Sequence, residues 1–311
     1  MRSNKRKQKG ETVAESRTAV ARRKNPYRFL PLKFFVLSFL ISFILLSLLG
    51  LPLLLVSGED APSTSSSVSS YTPDWNDRLN LLTAIRDEND AYTHFVLIGL
   101  RPYDDQLAVA MLPPQLQLVS GDKQNSIAGF CNYGGVTLCA RALEQSYGLR
   151  VDRTALLRVQ DLKELVNQLG GVSMNLSKPY VYEDESQGVL LNLPAGFRQL
   201  DGGSFVRLLT LPTTEQPGEQ LVLSGELIAA LINQKLEPRP ADGSDSFAQV
   251  VEFLTTDLSY SDYINRADAL DEIASKAPSA ELLGLAGTFS YGNMRFVFST
   301  DAEERLEQVF G

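Results

Sequence analysis

The residue types best suited to catalysis or metal binding are scarce in this chain. It has one histidine, His94, and two cysteines, Cys131 and Cys139. A Ser/His/Asp triad would have to use His94, and a zinc site would have only these three side chains as nitrogen and sulfur ligands. His94 directly precedes the apolar run FVLIG, which favours a position at the start of a strand. The composition therefore argues against both a hydrolytic triad and a zinc centre.

The two cysteines leave their own pairing open. They exclude a disulfide-rich scaffold, yet outside the cytoplasm they could form one bridge. Seven residues separate Cys131 from Cys139, so a bridge would close a small loop and stabilise the fold at the modest end of the usual scale. Two free, buried thiols are the alternative.

An uncharged stretch of 23 residues, 34–56, organises the N-terminal part of the chain. As a helix rising about 1.5 Å per residue, it is long enough to cross the roughly 30 Å hydrocarbon layer of a bilayer. Residues 1–33 carry a formal charge of +9, and basic flanks stay in the cytoplasm. The sequence predicts a basic cytoplasmic tail, one transmembrane helix and a C-terminal domain outside the cytoplasm. A cleaved signal peptide would normally have a shorter apolar core, about 7–15 residues.

The chain beyond the anchor divides into a linker and a domain. Residues 57–74 are rich in Ser, Thr and Pro, which is typical of a flexible tether. Residues 75–311 are predicted to form the extracytoplasmic domain. The chain after Lys33 carries a formal charge of −17, which argues against nucleic acid as a partner.

Apolar patterns predict mixed secondary structure in the domain. The run HFVLIG and the segment QLAVAML indicate strands. In residues 159–176 the apolar period changes from helical to alternating across Gly170 and Gly171, which indicates a helix, a tight turn and a strand. Asp74 is predicted to cap a helix that carries Leu79, Leu82 and Ile85. The pattern predicts an α/β fold, a three-layer α/β/α domain with a mixed central sheet.

Four stretches of this domain resemble the LytR-CpsA-Psr family: FVLIGLRPYDDQLAVAML, NYGG with the helix after it, DLKELVNQLGGVSMNL, and LPAGFRQLDGGSF. The order of tail, anchor and outer domain is similar as well. The resemblance implies an apolar tunnel for a polyprenyl chain, with arginines and a Mg²⁺-binding aspartate around the pyrophosphate at its mouth. Enzymes of this family transfer a glycopolymer from a polyprenyl-phosphate lipid carrier to peptidoglycan.

The family's phosphate ligands are matched only in part when they are carried over residue by residue. Asp105 falls at the acidic residue of the family's Arg-x-Asp-Thr loop and would hold Mg²⁺, whereas Tyr103 replaces the arginine of that loop. Lys123 falls at the arginine of an Ile-Pro-Arg-Asp segment and keeps the charge without the guanidinium fork. The later arginine positions hold other residues: Thr210, Pro212, Glu219 and Val222. Arg101 and Arg207 either compensate for the loss or are solvated surface charges.

These matches leave three functions open. The first is a catalytically impaired, membrane-anchored family member that binds a polyprenyl-phosphate-linked cell-wall intermediate or a partner enzyme. The second is an active, Mg²⁺-dependent transferase in which Arg101, Lys123 and Arg207 are the catalytic cations and Asp105 the metal ligand. The third is a structural or signalling domain with no lipid tunnel. As an alternative to a metal site, Asp104 and Asp105 are a turn pair.

Overall fold

The computed structural model describes residues 71–184, 188–211, 217–238, 246–276, 278–290, 292 and 294–311. The predicted cytoplasmic tail, the predicted transmembrane helix over 34–56 and most of the predicted linker lie outside these residues. Within the described ranges, no helix combines the length and the apolar character needed to cross a membrane.

The described chain contains both strands and helices, with short 3₁₀ turns at Trp75–Asp77 and Pro102–Asp104. The strands are β1 (Leu79–Arg86), β2 (Tyr92–Arg101), β3 (Gln106–Leu112), β4 (Gln117–Ser120), β5 (Lys123–Ser126), β6 (Arg153–Arg158), β7 (Val172–Leu176), β8 (Tyr180–Asp184), β9 (Gly188–Leu193), β10 (Gly196–Leu200), β11 (Leu254–Thr256), β12 (Ala280–Leu282), β13 (Gly287–Ser290) and β14 (Arg295–Phe298). The helices are α1 (Ile127–Tyr147), α2 (Val159–Gln168), α3 (Gly202–Leu209), α4 (Pro217–Lys235), α5 (Ser246–Val251), α6 (Tyr260–Ile264), α7 (Ala267–Ala274) and α8 (Thr300–Phe310).

A six-stranded sheet in the order β11-β6-β1-β2-β3-β12 forms the centre of the domain. The three central strands β1, β2 and β3 pair antiparallel, whereas β6 runs parallel to β1 and β12 runs parallel to β3. Four two-stranded sheets surround it, namely β4–β5, β7–β10, β8–β9 and β13–β14. The predicted α/β domain with a mixed central sheet is therefore confirmed.

Both faces of the central sheet are buried under helices. Successive residues of a strand point to opposite faces, and in β2 the buried Val96 and Leu97 belong to different apolar clusters. One face packs against α2, α3, α4 and α7, and the other packs against α1 and α8. The domain thus has one apolar core on each side of the sheet.

The prediction of a helix that starts at Asp74 is wrong beyond the first turn. Asp74 accepts a hydrogen bond from the Asn76 amide at 2.7 Å, but it caps only the 3₁₀ turn that ends at Asp77. The following residues form β1. Leu79, Leu82 and Ile85 are all buried because β1 is covered on both faces, and a strand of this kind carries apolar residues at any spacing.

Candidate functional site

An apolar cavity of about 350 Å³ lies between the central sheet and the helices that cover one of its faces. On the sheet side its walls are alternate residues of the central strands: Leu79, Leu81, Ile98, Leu100 and Leu107. The opposite walls come from helices of distant sequence position: Leu165, Leu231, Ile232, Phe247 and Leu270. The interaction that such walls offer a ligand is the burial of apolar surface.

Four polar residues also line this cavity: Lys235, Asp262, Tyr263 and Arg266. Asp262 binds Arg153 through both carboxylate oxygens, with Nε–Oδ2 and Nη2–Oδ1 distances of 2.8 Å. It also accepts a hydrogen bond of 2.7 Å from the Ser259 hydroxyl. The hydrogen bonds from Arg153, followed by those from Ser259, hold the pKa of Asp262 well below its usual range. Asp262 is therefore an ionised carboxylate whose charge is matched within the protein.

The Arg266 guanidinium stabilises the fold through hydrogen bonds to backbone carbonyls. Its Nε and Nη2 donate to the carbonyls of Asp77 and Asn76 at 3.1 and 3.2 Å, and Nη1 donates to the Asp262 carbonyl at 3.1 Å. These bonds tie the first turn of the domain to α6. Because its donors are committed to carbonyls, Arg266 is a poor candidate for a phosphate ligand.

Two of the predicted site residues lie where β2 leads into β3. Arg101 ends β2, and its guanidinium donates to the Val309 carbonyl of α8 and lies 3.3 Å from the Asp104 carboxylate. Asp105 ends the Pro102–Asp104 turn with a left-handed backbone, φ 53°. The Asp105 carboxylate lies 2.7 Å from the Lys276 ammonium. Both predicted residues therefore have charged partners within the protein.

The other two predicted residues lie elsewhere. Lys123 begins β5 in an exposed hairpin that packs on α1, on the face of the sheet opposite the cavity. Its ammonium lies 4.9 Å from the centre of the Tyr133 ring. Arg207 is exposed on α3 and donates to the Leu190 carbonyl of β9. None of the four predicted residues contributes to the walls of the apolar cavity.

The structure separates Arg101 and Asp105 from Arg207. Arg101 pairs with Gln106 at one end of β2, whereas His94 near the other end contacts Leu209 of α3, two residues after Arg207. Arg101 is seven residue steps from His94 along β2, which is about 23 Å at 3.3 Å per step. The predicted cations and the predicted metal ligand are therefore not brought together around one phosphate.

The surroundings of Asp105 do not fit a magnesium ion. Mg²⁺ requires several oxygen ligands, but the nearest charged neighbour of Asp105 is the ammonium of Lys276. In the part of the chain that the structure describes, no three acidic, histidine or cysteine residues are grouped closely enough to hold a metal. The described residues therefore provide no second Mg²⁺ ligand beside Asp105.

His94 lies at the junction of β2 with the carboxyl end of α3. Its Nε2 donates to the Leu209 carbonyl at 3.1 Å, and Gln220 of α4 donates to the carbonyls of Leu208 and Leu209 at 3.0 and 2.8 Å. Burial lowers the pKa of His94 to about 4, opposed only in part by the bond to Leu209. The last carbonyls of α3 are thus satisfied by two neutral side chains.

The pH dependence of stability should report the partly buried His94. The pKa of His94 is about 4 in the folded protein and 6.5 in the unfolded chain. Between these two values the unfolded chain binds a proton that the folded protein does not. The free energy of unfolding therefore decreases as the pH falls through this window. We expect a loss of about 2 kcal/mol between pH 7 and pH 5, at 1.36 kcal/mol per unit. Urea unfolding of the protein and of His94→Gln measures it. His94 is the only histidine, so the variant should lose most of this dependence; an equal slope in both proteins would contradict the assignment.

The positions that match the family's later arginines lie around the α3–α4 junction, and those that the structure describes carry no cation. Thr210 donates to the Val206 carbonyl at 2.9 Å, Glu219 lies 2.5 Å from the Lys178 ammonium, and Val222 is exposed. Pro212 lies outside the described residues. The carboxyl end of α3 itself carries partial negative charge, which disfavours an anion there.

Some features of this site could be predicted from the sequence, and others could not. The apolar runs of β2 and β3 indicate buried strands that include Ile98, Leu100 and Leu107, but they do not show which of their residues face the cavity, because both faces of these strands are apolar. The pair Arg153–Asp262 joins residues 109 positions apart, and no local pattern indicates it.

Comparison with known proteins identifies the family of this chain. The sequence profile of the LytR_cpsA_psr family matches residues 115–309, which is more than half of the chain. The chain therefore belongs to the LytR_cpsA_psr family. No curated protein sequence matches it.

Solved structures share the fold at low sequence identity. A crystal structure described as a transcription regulator from Eubacterium siraeum is 17% identical, with a TM-score of 0.68 over 80% of this chain and 98% of that chain. TagT bound to LIIa-WTA is 16% identical, with a TM-score of 0.59 over 77% and 92% of the two chains. A LytR-Csp2A-Psr enzyme from Actinomyces oris is 17% identical, with a TM-score of 0.58 over 75% and 90%. At these identities the likeness concerns the fold alone.

Proposed function

We propose that this protein is a membrane-anchored cell-envelope protein that holds the polyprenyl chain of a lipid-linked cell-wall intermediate and does not transfer its glycopolymer. The observation that carries the proposal is the apolar cavity against the central sheet, whose walls are mostly leucine, isoleucine, valine and phenylalanine. Membership of the LytR_cpsA_psr family supports the choice of lipid. The uncharged stretch over 34–56 supports an anchor that keeps the domain near such a lipid.

The lack of transfer is proposed from the charges. A diphosphate leaving group needs several fixed cations close to one another. Arg266 lines the cavity and donates to backbone carbonyls, and Arg153 is bound to Asp262 on the cavity wall. Arg101 ends β2, whereas Arg207 lies on α3, whose last residue Leu209 contacts His94 near the other end of β2. A ligand could thus be held by its chain while its phosphate lacks the clamp that transfer requires.

Filling the cavity should abolish lipid binding. Ile98 lies on the cavity wall, so Ile98→Trp places an indole where the lipid chain would pack. We expect at least a tenfold loss of affinity for a short-chain polyprenyl phosphate, measured with the full-length protein in detergent. Val119→Trp adds the same side chain at a half-exposed position of β4, on the other face of the sheet, and should bind normally. Equal binding by both variants would contradict the proposal, provided that urea unfolding shows both to be folded.

Transfer itself needs a separate assay. The full-length protein, supplied with a lipid-linked glycan, peptidoglycan and Mg²⁺, should form no covalent glycan–peptidoglycan product. Formation of product would overturn the non-catalytic half of the proposal and leave the binding half standing. Asp105→Ala would then show whether Asp105 takes part.

A further inference from the structure

Helix α1 carries both cysteines of the chain and is interrupted between them. Gly134 and Gly135 leave the helical backbone angles, and Gly135 has φ 71°, a value that favours glycine. In an unbroken helix, residues eight positions apart are about 12 Å apart along the axis, so their side chains do not meet. The break at Gly134 and Gly135 lies between the two cysteines, so this spacing does not apply to them.

The two cysteines lie in the same buried core. Cys131 and Cys139 are 2% and 0% exposed and belong to the same apolar cluster, on the side of the sheet opposite the cavity. Burial and the interaction with Cys131 raise the pKa of the Cys139 thiol, so the two side chains are neighbours. Both thiols are free in this structure. Two buried, neighbouring cysteines on either side of a glycine break can form one disulfide.

We propose that Cys131 and Cys139 are a site of disulfide formation, oxidised outside the cytoplasm by a protein disulfide of the thiol–disulfide oxidoreductase class. The thiolate of one cysteine attacks the donor's disulfide, forms a mixed disulfide and releases one donor thiol. The second cysteine thiolate attacks the sulfur of the first, forms the Cys131–Cys139 bond and releases the second donor thiol. The two protons lost by the cysteines end on the donor thiols, which have gained the two electrons.

Oxidation at this site precedes the packing of α1. An oxidoreductase cannot reach thiols that are buried under the sheet, and burial raises the pKa of the Cys139 thiol, which disfavours the attacking thiolate. The bond therefore forms while the chain folds and is protected once the core closes. It would fix the exposed Asn132–Gly135 turn, where Tyr133 is 77% exposed.

One tryptic peptide tests the proposal. Cleavage after Lys123 and Arg141 releases residues 124–141, which contain both cysteines. The full-length protein is taken from the envelope of the expressing bacterium without reductant, denatured in the presence of N-ethylmaleimide, digested and weighed by mass spectrometry. We expect the peptide to carry no label and to be two hydrogen atoms lighter than the dithiol form.

Reduction provides the control. An aliquot reduced before labelling should gain two maleimide groups on the same peptide, which shows that both sulfurs react when they are free. Two labels on the unreduced sample would overturn the proposal. The outcome is independent of lipid binding, so it does not bear on the proposed function.

Discussion

Gly202→Ala should destabilise the domain by about 3 kcal/mol, the range of an overpacked core site. Gly202 begins α3 within the LDGG segment and is buried against α2. A Cβ at this position would press on the backbone carbonyl of Lys163 and would lie 2.9 Å from the Asn167 amide oxygen. Because the obstacle is backbone, α2 and α3 must move apart, and the Gly202–Asn167 hydrogen bond of 2.7 Å would be lost.

The neighbouring glycine is the matched control. A Cβ at Gly203 would meet only the Asp201 carboxylate, at 3.5 Å, which is ordinary contact. Gly203→Ala should therefore be neutral or stabilising by up to about 1 kcal/mol, the usual preference for alanine in a helix. Urea unfolding of both variants measures the difference. Equal stability of the two would show that α2 and α3 do not approach as closely as described.

Asp262→Ala should cost about 2–3 kcal/mol, somewhat less than the loss of one partner of a fully buried ion pair. The variant leaves Arg153, whose side chain is 36% exposed, without its two carboxylate contacts. It also removes the acceptor of the Ser259 amide and hydroxyl. The pair joins β6 to α6, so we expect the helices around the cavity to loosen together with the loss of stability.

The pH dependence gives a second measure of Asp262. Its pKa is lowered in the folded protein, so its contribution is complete above the unfolded value near 4 and is lost as the pH falls below that value. The exposed pair Lys178–Glu219, with side chains 53% and 55% accessible, is the control, and Glu219→Gln should cost much less stability than Asp262→Ala. If Asp262→Ala and Glu219→Gln destabilise equally at pH 7, the pair is not the anchor that its geometry indicates.

The fold was largely predictable from local patterns. Strands β2 and β3 follow from their apolar runs, and the helix–turn–strand unit around Gly170 follows from its change of apolar period. Strand β1 is not indicated as a strand, because Asn80 and Thr83 interrupt its apolar residues and leave Leu79, Leu82 and Ile85 at a spacing that also fits a helix. Strand β11, Leu254–Thr256, is fixed by pairing with the distant strand β6, which local sequence does not encode.

The site was less predictable, because it depends on which ends of strands and helices meet. Asp105 and Lys123 were assigned to phosphate-binding motifs by short matches, and such matches carry no information on distance. The structure pairs Asp105 with Lys276 and places Lys123 on the opposite face of the sheet from the cavity. The cavity walls were foreseeable as apolar residues, but the space between them depends on how α4, α5 and α7 pack.

The most direct test compares two ligands that differ only in the phosphate. Affinities of the full-length protein for a polyprenyl phosphate and for the matched polyprenol would be measured side by side in the same detergent. We predict that both bind and that their dissociation constants agree within about tenfold, or 1.4 kcal/mol. The reason is that the apolar walls would contact the lipid chain, which both ligands share. Of the described cations that line the cavity, only Lys235 has no carboxylate within ion-pair distance. A preference of a thousandfold for the phosphate, or no binding of either lipid, would contradict the account.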